Sequence, residues 1–280
     1  MRELREVKLL ESGHTHGPIT RLVSPSDLGE LLKPFVFLDY FNAQISPGFG
    51  FPMHPHSGIA TLTWQPDTDV AYQDTTGQQG TLKAGGLEWM NAGGGAWHQA
   101  SLMGSGHATG FQLWVAMPPV VENGPSQGQY VPPHAVAEMA APGVVVKVLL
   151  GSLQGPSQTV TSAIDSHHDM NYFVVQLEPG ATWHYTPPPQ HAVAFAVGFS
   201  GTPTVNGTPL RHMLAVLGSH GGIDLAAAHG PAQVLLGTAV KHDWDLVLGT
   251  SSVHTSQRAL AQGLHTIRAI GAELKAAGKM

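Results

Sequence analysis

The feature that most constrains this chain is its punctuation. Thirty-four glycines and 21 prolines are spread along 280 residues, and between them stand short apolar, β-branched and aromatic runs. These include PFVFLDYF, GIATLTW, VAYQDTTG, GFQLWVAM, VVVKVLLG, MNYFVVQLEPG, HAVAFAVGF and AQVLLGTAV. Turn residues at this density break helices and leave room for strands, so the pattern predicts an all-β sandwich or barrel. Helical periodicity is clear only near the end. There Leu260, Leu264, Ile267, Ile270 and Leu274 recur at steps of three and four behind a cap at Thr255 or Ser256. Its apolar stripe suits packing on a barrel, and its polar face carries few cations for a membrane surface. A shorter helix is expected over Ser26 to Leu32.

A hydrophobic fraction of 42 % over this length supports a large core in one domain or two. Residues 117–136, MPPVVENGPSQGQYVPPHAV, are rich in Pro, Gly and polar side chains without a sustained period. They read as a linker between two β units, 1–130 and 131–280. A loose internal echo agrees: DTTGQQGTLKAGGLEWM and TVNGTPLRHMLAVLG both read as strand, glycine turn, strand.

Composition excludes several function classes. Thirteen Lys and Arg against 19 Asp and Glu give a formal charge of −6 with no basic run, which argues against direct nucleic-acid binding. No apolar run reaches the roughly 20 residues of a membrane span. The start, MRELREVKLLESG, mixes charges with apolar residues where a signal peptide would be uninterrupted, so a cytoplasmic protein is expected. Without cysteine there is no disulfide, thiolate nucleophile or cysteine metal cluster, and a metal must be held by His, Asp or Glu.

Histidine is the unusual residue, at 17 copies more numerous than Lys and Arg together. In FPMHPHSGIATLTW, His54 and His56 sit two apart; on a strand they share a face and can chelate. Taken alone, such a pair is more often a structural feature than a ligand set. His98 follows three glycines in LEWMNAGGGAWHQ, with Glu88 ten residues earlier, and a reversal at Gly93 to Gly95 would set Glu88 and His98 on neighbouring strand segments facing one cavity. Trp64, Trp89 and Trp97 read as core or pocket-wall aromatics. His14 and His16 repeat the spacing without a partner, while the adjacent His167 and His168 would face opposite ways on a strand. His184, His191, His212 and His220 read as structural or surface residues.

PFVFLDYF, GFPMHPHSGIATLTW and DTTGQQGTLKAGGLEWMNAGGGAWHQ together resemble the pirin family of the cupin superfamily, from about Pro34 to Met117. The likeness continues weakly to VLGTSSVHTSQRALAQGLHTI. It implies a bicupin, two tandem cupin β-barrels with a C-terminal α-helix, in which only the N-terminal barrel binds metal. His54 and His56 match the family's paired histidines and His98 its third. The family's fourth ligand, a glutamate two residues after that histidine, is replaced by Ala100, and the carboxylate of other cupins a few residues after the pair is replaced by Ile59 and Ala60. In AGGLE, Glu88 aligns with another cupin ligand position. The expected site is therefore His54, His56 and His98, with Glu88 as a fourth ligand or as a base behind the metal.

Three imidazoles with open positions suit Fe(II), the metal the family resemblance favours, and also accept Mn, Ni, Cu or Zn. The resemblance implies a quercetin 2,3-dioxygenase-like oxidoreductase acting on a flavonol or related enol or phenol, with Glu88 taking the substrate's proton. The alternative is a non-enzymatic, iron-dependent redox sensor or transcription cofactor that binds a protein partner.

Overall fold

The computed structural model describes residues 2–46 and 48–280. It is built of β-strands, with one long helix at the C-terminal end. The chain divides into two compact units, Met1–His14 with Val136–Lys241 and Thr15–Ala135 with His242–Met280. The division between the middle segments falls at Ala135, close to the expected 130. At the ends the chain departs from the expected 1–130 and 131–280: residues 242–280, terminal helix included, join the unit that carries the histidine motif. The Pro- and Gly-rich stretch read as a linker is partly structured as well. Its strand Gln127–Val131 pairs with Leu87–Asn91 as a sheet edge, where a weak hydrophobic period is enough.

In the histidine-bearing unit, a seven-stranded sheet runs in the order Gln127–Val131, Leu87–Asn91, Ile59–Trp64, Gly106–Ala116, Phe35–Ile45, Ile19–Val23, His14–His16. A four-stranded sheet runs Gly50–His56, Ala96–Leu102, Val70–Asp74, Gln79–Leu82. Their inner faces meet because the strands alternate with period two. In Phe35–Ile45, Phe41, Ala43 and Ile45 are buried while Asn42 and Gln44 are exposed. The buried three pack against Val70 and Leu102 of the smaller sheet.

The other unit repeats the plan. Seven strands (Val7–Glu11, Leu214–Leu217, Val193–Ser200, Ala232–Ala239, Met170–Leu177, Val144–Leu150, Ala137–Ala141) accompany four (Thr182–Tyr185, Ile223–Ala226, Thr204–Val205, Thr208–Pro209). Its interior is filled by an apolar cluster that includes Val146, Val148, Phe173, Val175, Leu225 and Leu236. The internal echo takes the same structural place in both units. In each, a hairpin at the edge of the small sheet (Val70–Asp74 with Gln79–Leu82; Thr204–Val205 with Thr208–Pro209) leads into a strand of the large one.

The short helix is Leu28–Leu32, with Asp27 as N-cap. The long one is Gln257–Ala276, where the Ser256 hydroxyl accepts a hydrogen bond from the Ala259 N–H at 3.2 Å. Its buried face is Ala259, Leu260, Gly263, Ile267 and Gly271, while Leu264, Ile270 and Leu274 are only half-buried. The stripe is shifted from the expected one because two glycines let the helix approach closely. The Trp97 indole N–H donates to the Ile267 carbonyl at 2.9 Å, and a Cβ on Gly271 would lie 2.7 Å from the Trp97 ring. Gly271→Val should therefore destabilise the protein by about 1–3 kcal/mol in chemical denaturation, whereas Ala272→Val, on the exposed face, should leave the midpoint nearly unchanged.

Candidate metal centre

The centre begins with strand register. Gly50–His56 and Ala96–Leu102 pair antiparallel with His54 directly opposite His98 and His56 opposite Ala96. Directly opposed residues put their side chains on the same face of a sheet, and His56, two residues along, joins them. Trp97 then points the other way, to the helix. Among the described residues, His54, His56 and His98 bring ligand atoms within 4.8 Å of one another. His56 and His98 are buried, and His54 is partly exposed.

Each ring is held by its Nδ1. That of His54 donates to the Pro52 carbonyl at 2.7 Å and that of His56 to the Ser251 carbonyl at 2.9 Å. That of His98 donates to Glu88 Oε1 at 2.9 Å. A carbonyl or carboxylate can only accept, so all three protons are assigned to Nδ1 and all three Nε2 atoms carry lone pairs. His54 Nε2 and His98 Nε2 face each other at 3.1 Å, and His56 Nε2 is buried with no hydrogen-bond partner. Lone pairs converging without a proton between them are the arrangement a divalent cation satisfies, and the Nδ1 partners are those that usually fix metal-bound imidazoles. The residues present fit a metal.

Glu88 comes from the opposite sheet. Its strand Leu87–Asn91 lies between Ile59–Trp64 and Gln127–Val131, so Glu88 and His98 meet across the interior instead of on the neighbouring strand segments expected. The chain crosses between the sheets at residues 92–95, where Gly93 has φ +49° and a Cβ would lie 2.3 Å from the Gly124 carbonyl oxygen. Glu88 engages His98 on the nitrogen turned away from His54 and is not among the atoms that converge. Burial favours protonation of its carboxyl, but the hydrogen bond from His98 prevails and holds it below its ordinary value. Burial, reinforced by His98, lowers His54 from 6.5 to about 4 and His56 well below 6.5.

A cavity of about 40 Å³ opens beside the rings, lined by His54, His98, Glu88, Gln65 and Ala100 with the aromatic walls Phe51 and Phe111. Ala100, at the position where the resemblance leads one to expect a glutamate, thus leaves space. Gln65 is 5 % exposed and its Oε1 is buried without a hydrogen-bond partner. Asp39 also lines the cavity; burial raises its pKa against the opposing pull of its ion pair with Arg21. A larger groove, about 660 Å³, lies in the other unit, but its buried Arg5 is spent on the carbonyls of Gly218, Gly221 and His191. Chemistry is better placed at the histidines.

Sequence reasoning missed Ser251, Gln65 and Asp39. Ser251 acts through a backbone carbonyl, which no residue type signals; Gln65 lies just past the end of the strand Ile59–Trp64, and Asp39 sits inside PFVFLDYF among apolar residues that read as core.

The Pirin family profile matches residues 18–115. A Pseudomonas aeruginosa protein described as a candidate quercetin 2,3-dioxygenase is 30 % identical over 96 % of this chain and 98 % of its own. A pirin-like protein of Arabidopsis thaliana is 31 % identical over 65 % of this chain and 58 % of its own. Among solved structures, a quercetin 2,3-dioxygenase from Acinetobacter baumannii superposes with a TM-score of 0.83 at 22 % identity, covering 94 % of this chain and 96 % of that one. The bacterial pirin YhhW from Escherichia coli, in complex with nickel(II), gives 0.63 at 18 % identity, covering 86 % and 100 %. Among the described residues, no helix is long and apolar enough to cross a membrane.

The pKa shifts set a pH response of the metal-free protein. The unfolded chain protonates His54 and His56 from about pH 6.5 downward, while the folded chain resists until about pH 4 for His54 and well below pH 6.5 for His56. The unfolded state then binds more protons, so stability falls with pH over that window. Glu88, with its lowered folded value, adds a loss only below its ordinary 4.5. Denaturation midpoints of metal-free protein should fall between pH 7 and 4, and replacing His54 and His56 by Ala should flatten the slope. The matching sequence, fold and histidine cluster together place the chain in the pirin family.

Proposed function

We propose that the chain is a metal-dependent oxygenase of the quercetin 2,3-dioxygenase type. In this reading His54, His56 and His98 hold one divalent transition metal, Fe(II) by preference. The observation that carries it is the set of three imidazoles locked at Nδ1, with their Nε2 lone pairs converging. A bound Fe(II) would supply Lewis acidity towards an enol or phenol and redox access to dioxygen.

The chain's own residues supply the rest. Glu88 fixes the tautomer and orientation of His98, acting as a positioning carboxylate and not as a fourth ligand. Ionised and lining the cavity, it also accepts the proton of a substrate hydroxyl. Gln65 offers its unpartnered Oε1 to a second hydroxyl. Phe51 and Phe111 present apolar walls that exclude water. The cavity holds a few waters, whereas a drug-sized ligand needs roughly 300 Å³ or more. A flavonol therefore presents only its chelating edge unless the lining side chains move apart.

The test is anaerobic loading with Fe(II), then addition of quercetin and oxygen. Flavonol consumption with release of carbon monoxide is expected; its absence, in protein of confirmed iron content, would sink the enzyme reading, and redox-dependent capture of a protein partner would replace it with the sensor. His56→Ala should abolish metal retention in elemental analysis. Glu88→Gln should cost about 10- to 100-fold in metal affinity or kcat. Gln65→Leu should lower kcat/KM about tenfold with metal content unchanged, since it removes one hydrogen bond to a buried hydroxyl.

A further inference from the structure

Beside the three histidines lies a second cluster of buried polar groups. The Ser57 hydroxyl donates to Ser252 Oγ at 2.9 Å and lies 3.0 Å from His254 Nε2. His254 Nδ1 is 3.2 Å from Glu122 Oε2. The two oxygens of Glu122 accept from the Thr255 backbone N–H at 2.7 Å and its hydroxyl at 2.6 Å. Ser57 and Ser252 are 0 %, His254 1 % and Glu122 3 % exposed. Ser57, His254 and Glu122 stand in the order of a nucleophile, a base and an orienting acid, but Ser57 has no face open to a substrate and gives its proton to Ser252.

The cluster joins two distant stretches of chain, and its neighbours show what it holds. Ser57 follows His56, and Ser251, whose carbonyl receives the His56 Nδ1–H, precedes Ser252. Ser57 and Ser252 also form a parallel β-bridge. Glycines permit the approach. Gly58 has φ +75°, and a Cβ there would lie 2.1 Å from the Val253 carbonyl oxygen and 2.8 Å from the His254 ring. A Cβ on Gly263 of the helix would lie 2.5 Å from both His254 Nε2 and Ser57 Oγ. On the facing strand, Trp97, adjacent to His98, donates to the Ile267 carbonyl. The segment therefore touches both sides of the histidine set.

We infer that residues 251–267 are a positioning element of the metal centre. By presenting the Ser251 carbonyl to His56, held by the Ser57–Ser252 and Ser57–His254 bonds and by the two bonds of Thr255 to Glu122, the segment sets the tautomer and aim of that ligand. Docking of the segment and binding of the metal are then coupled, and coupling is reciprocal: each favours the other by the same factor. The inference rests on the reading of His54, His56 and His98 as metal ligands.

The experiment uses the full-length protein and Ni(II) or Co(II) alone as probe. Ni(II) affinity is measured for wild type, Glu122→Gln and His254→Gln, with circular dichroism to confirm folding. Both variants should bind about 10- to 100-fold more weakly, the cost usual for losing support of a metal-bound histidine. The visible absorption of the Co(II) forms should shift relative to wild type. Hydrogen exchange on wild type needs no variant: Ni(II) should slow exchange across 251–267 and leave the edge strand Gln79–Leu82 unchanged. Variants that bind like wild type with the same Co(II) spectrum, or exchange in 251–267 that ignores the metal, would overturn the inference while the metal site stands. Failure of wild type to bind either ion would overturn both.

Discussion

Three Nδ1 hydrogen bonds govern the interior of the histidine-bearing unit. A neutral imidazole has one N–H, and each of these three spends it on an oxygen outside the site: Pro52 within the same strand, Ser251 from a distant segment, Glu88 from the facing sheet. Facing lone pairs at 3.1 Å repel, so the arrangement is a stored demand for positive charge. Register, crossover and helix docking all serve to keep that demand in place.

The position of Glu88 changes the chemistry in kind. A carboxylate bound directly to a metal lowers its net charge and fills a coordination position; a carboxylate bonded to the far side of an imidazole makes that imidazole a stronger donor and leaves the position free. With Ala100 lining the cavity, the open side faces Phe51 and Phe111. Relative to the ligand set implied by the family resemblance, the negative charge of Glu88 lies behind the histidine cluster and not among its converging atoms.

Much of this was legible in the residues. The glycine and proline punctuation reported the strands, the two-residue spacing of His54 and His56 reported a shared face, and the three- and four-residue steps reported the helix. Glu88 was visible as a partner of His98, but its sheet was not, because the crossover at 92–95 is a matter of topology and not of spacing. The allegiance of residues 242–280 was hidden for a similar reason. An apolar stripe says that a helix packs, and not on what; its partner is fixed by glycines at 263 and 271 that a hydrophobic period does not weigh. Ser251 left no trace, because a backbone carbonyl belongs to every residue.

The bond between Ser57 and Ser252 spans 195 positions, with all of the other unit's strands but Val7–Glu11 lying in sequence between them. During synthesis the paired histidines leave the ribosome early, whereas the carbonyl that orients His56 arrives only after the whole of the second unit. Contacts of such separation form late, since the intervening chain must first be ordered. The growing chain thus exposes a chelating pair lacking its final support, and full-strength metal capture waits for the last part of the protein to be made. If the histidines hold a metal as proposed, selection of the ion falls to the finished molecule and not to the nascent one.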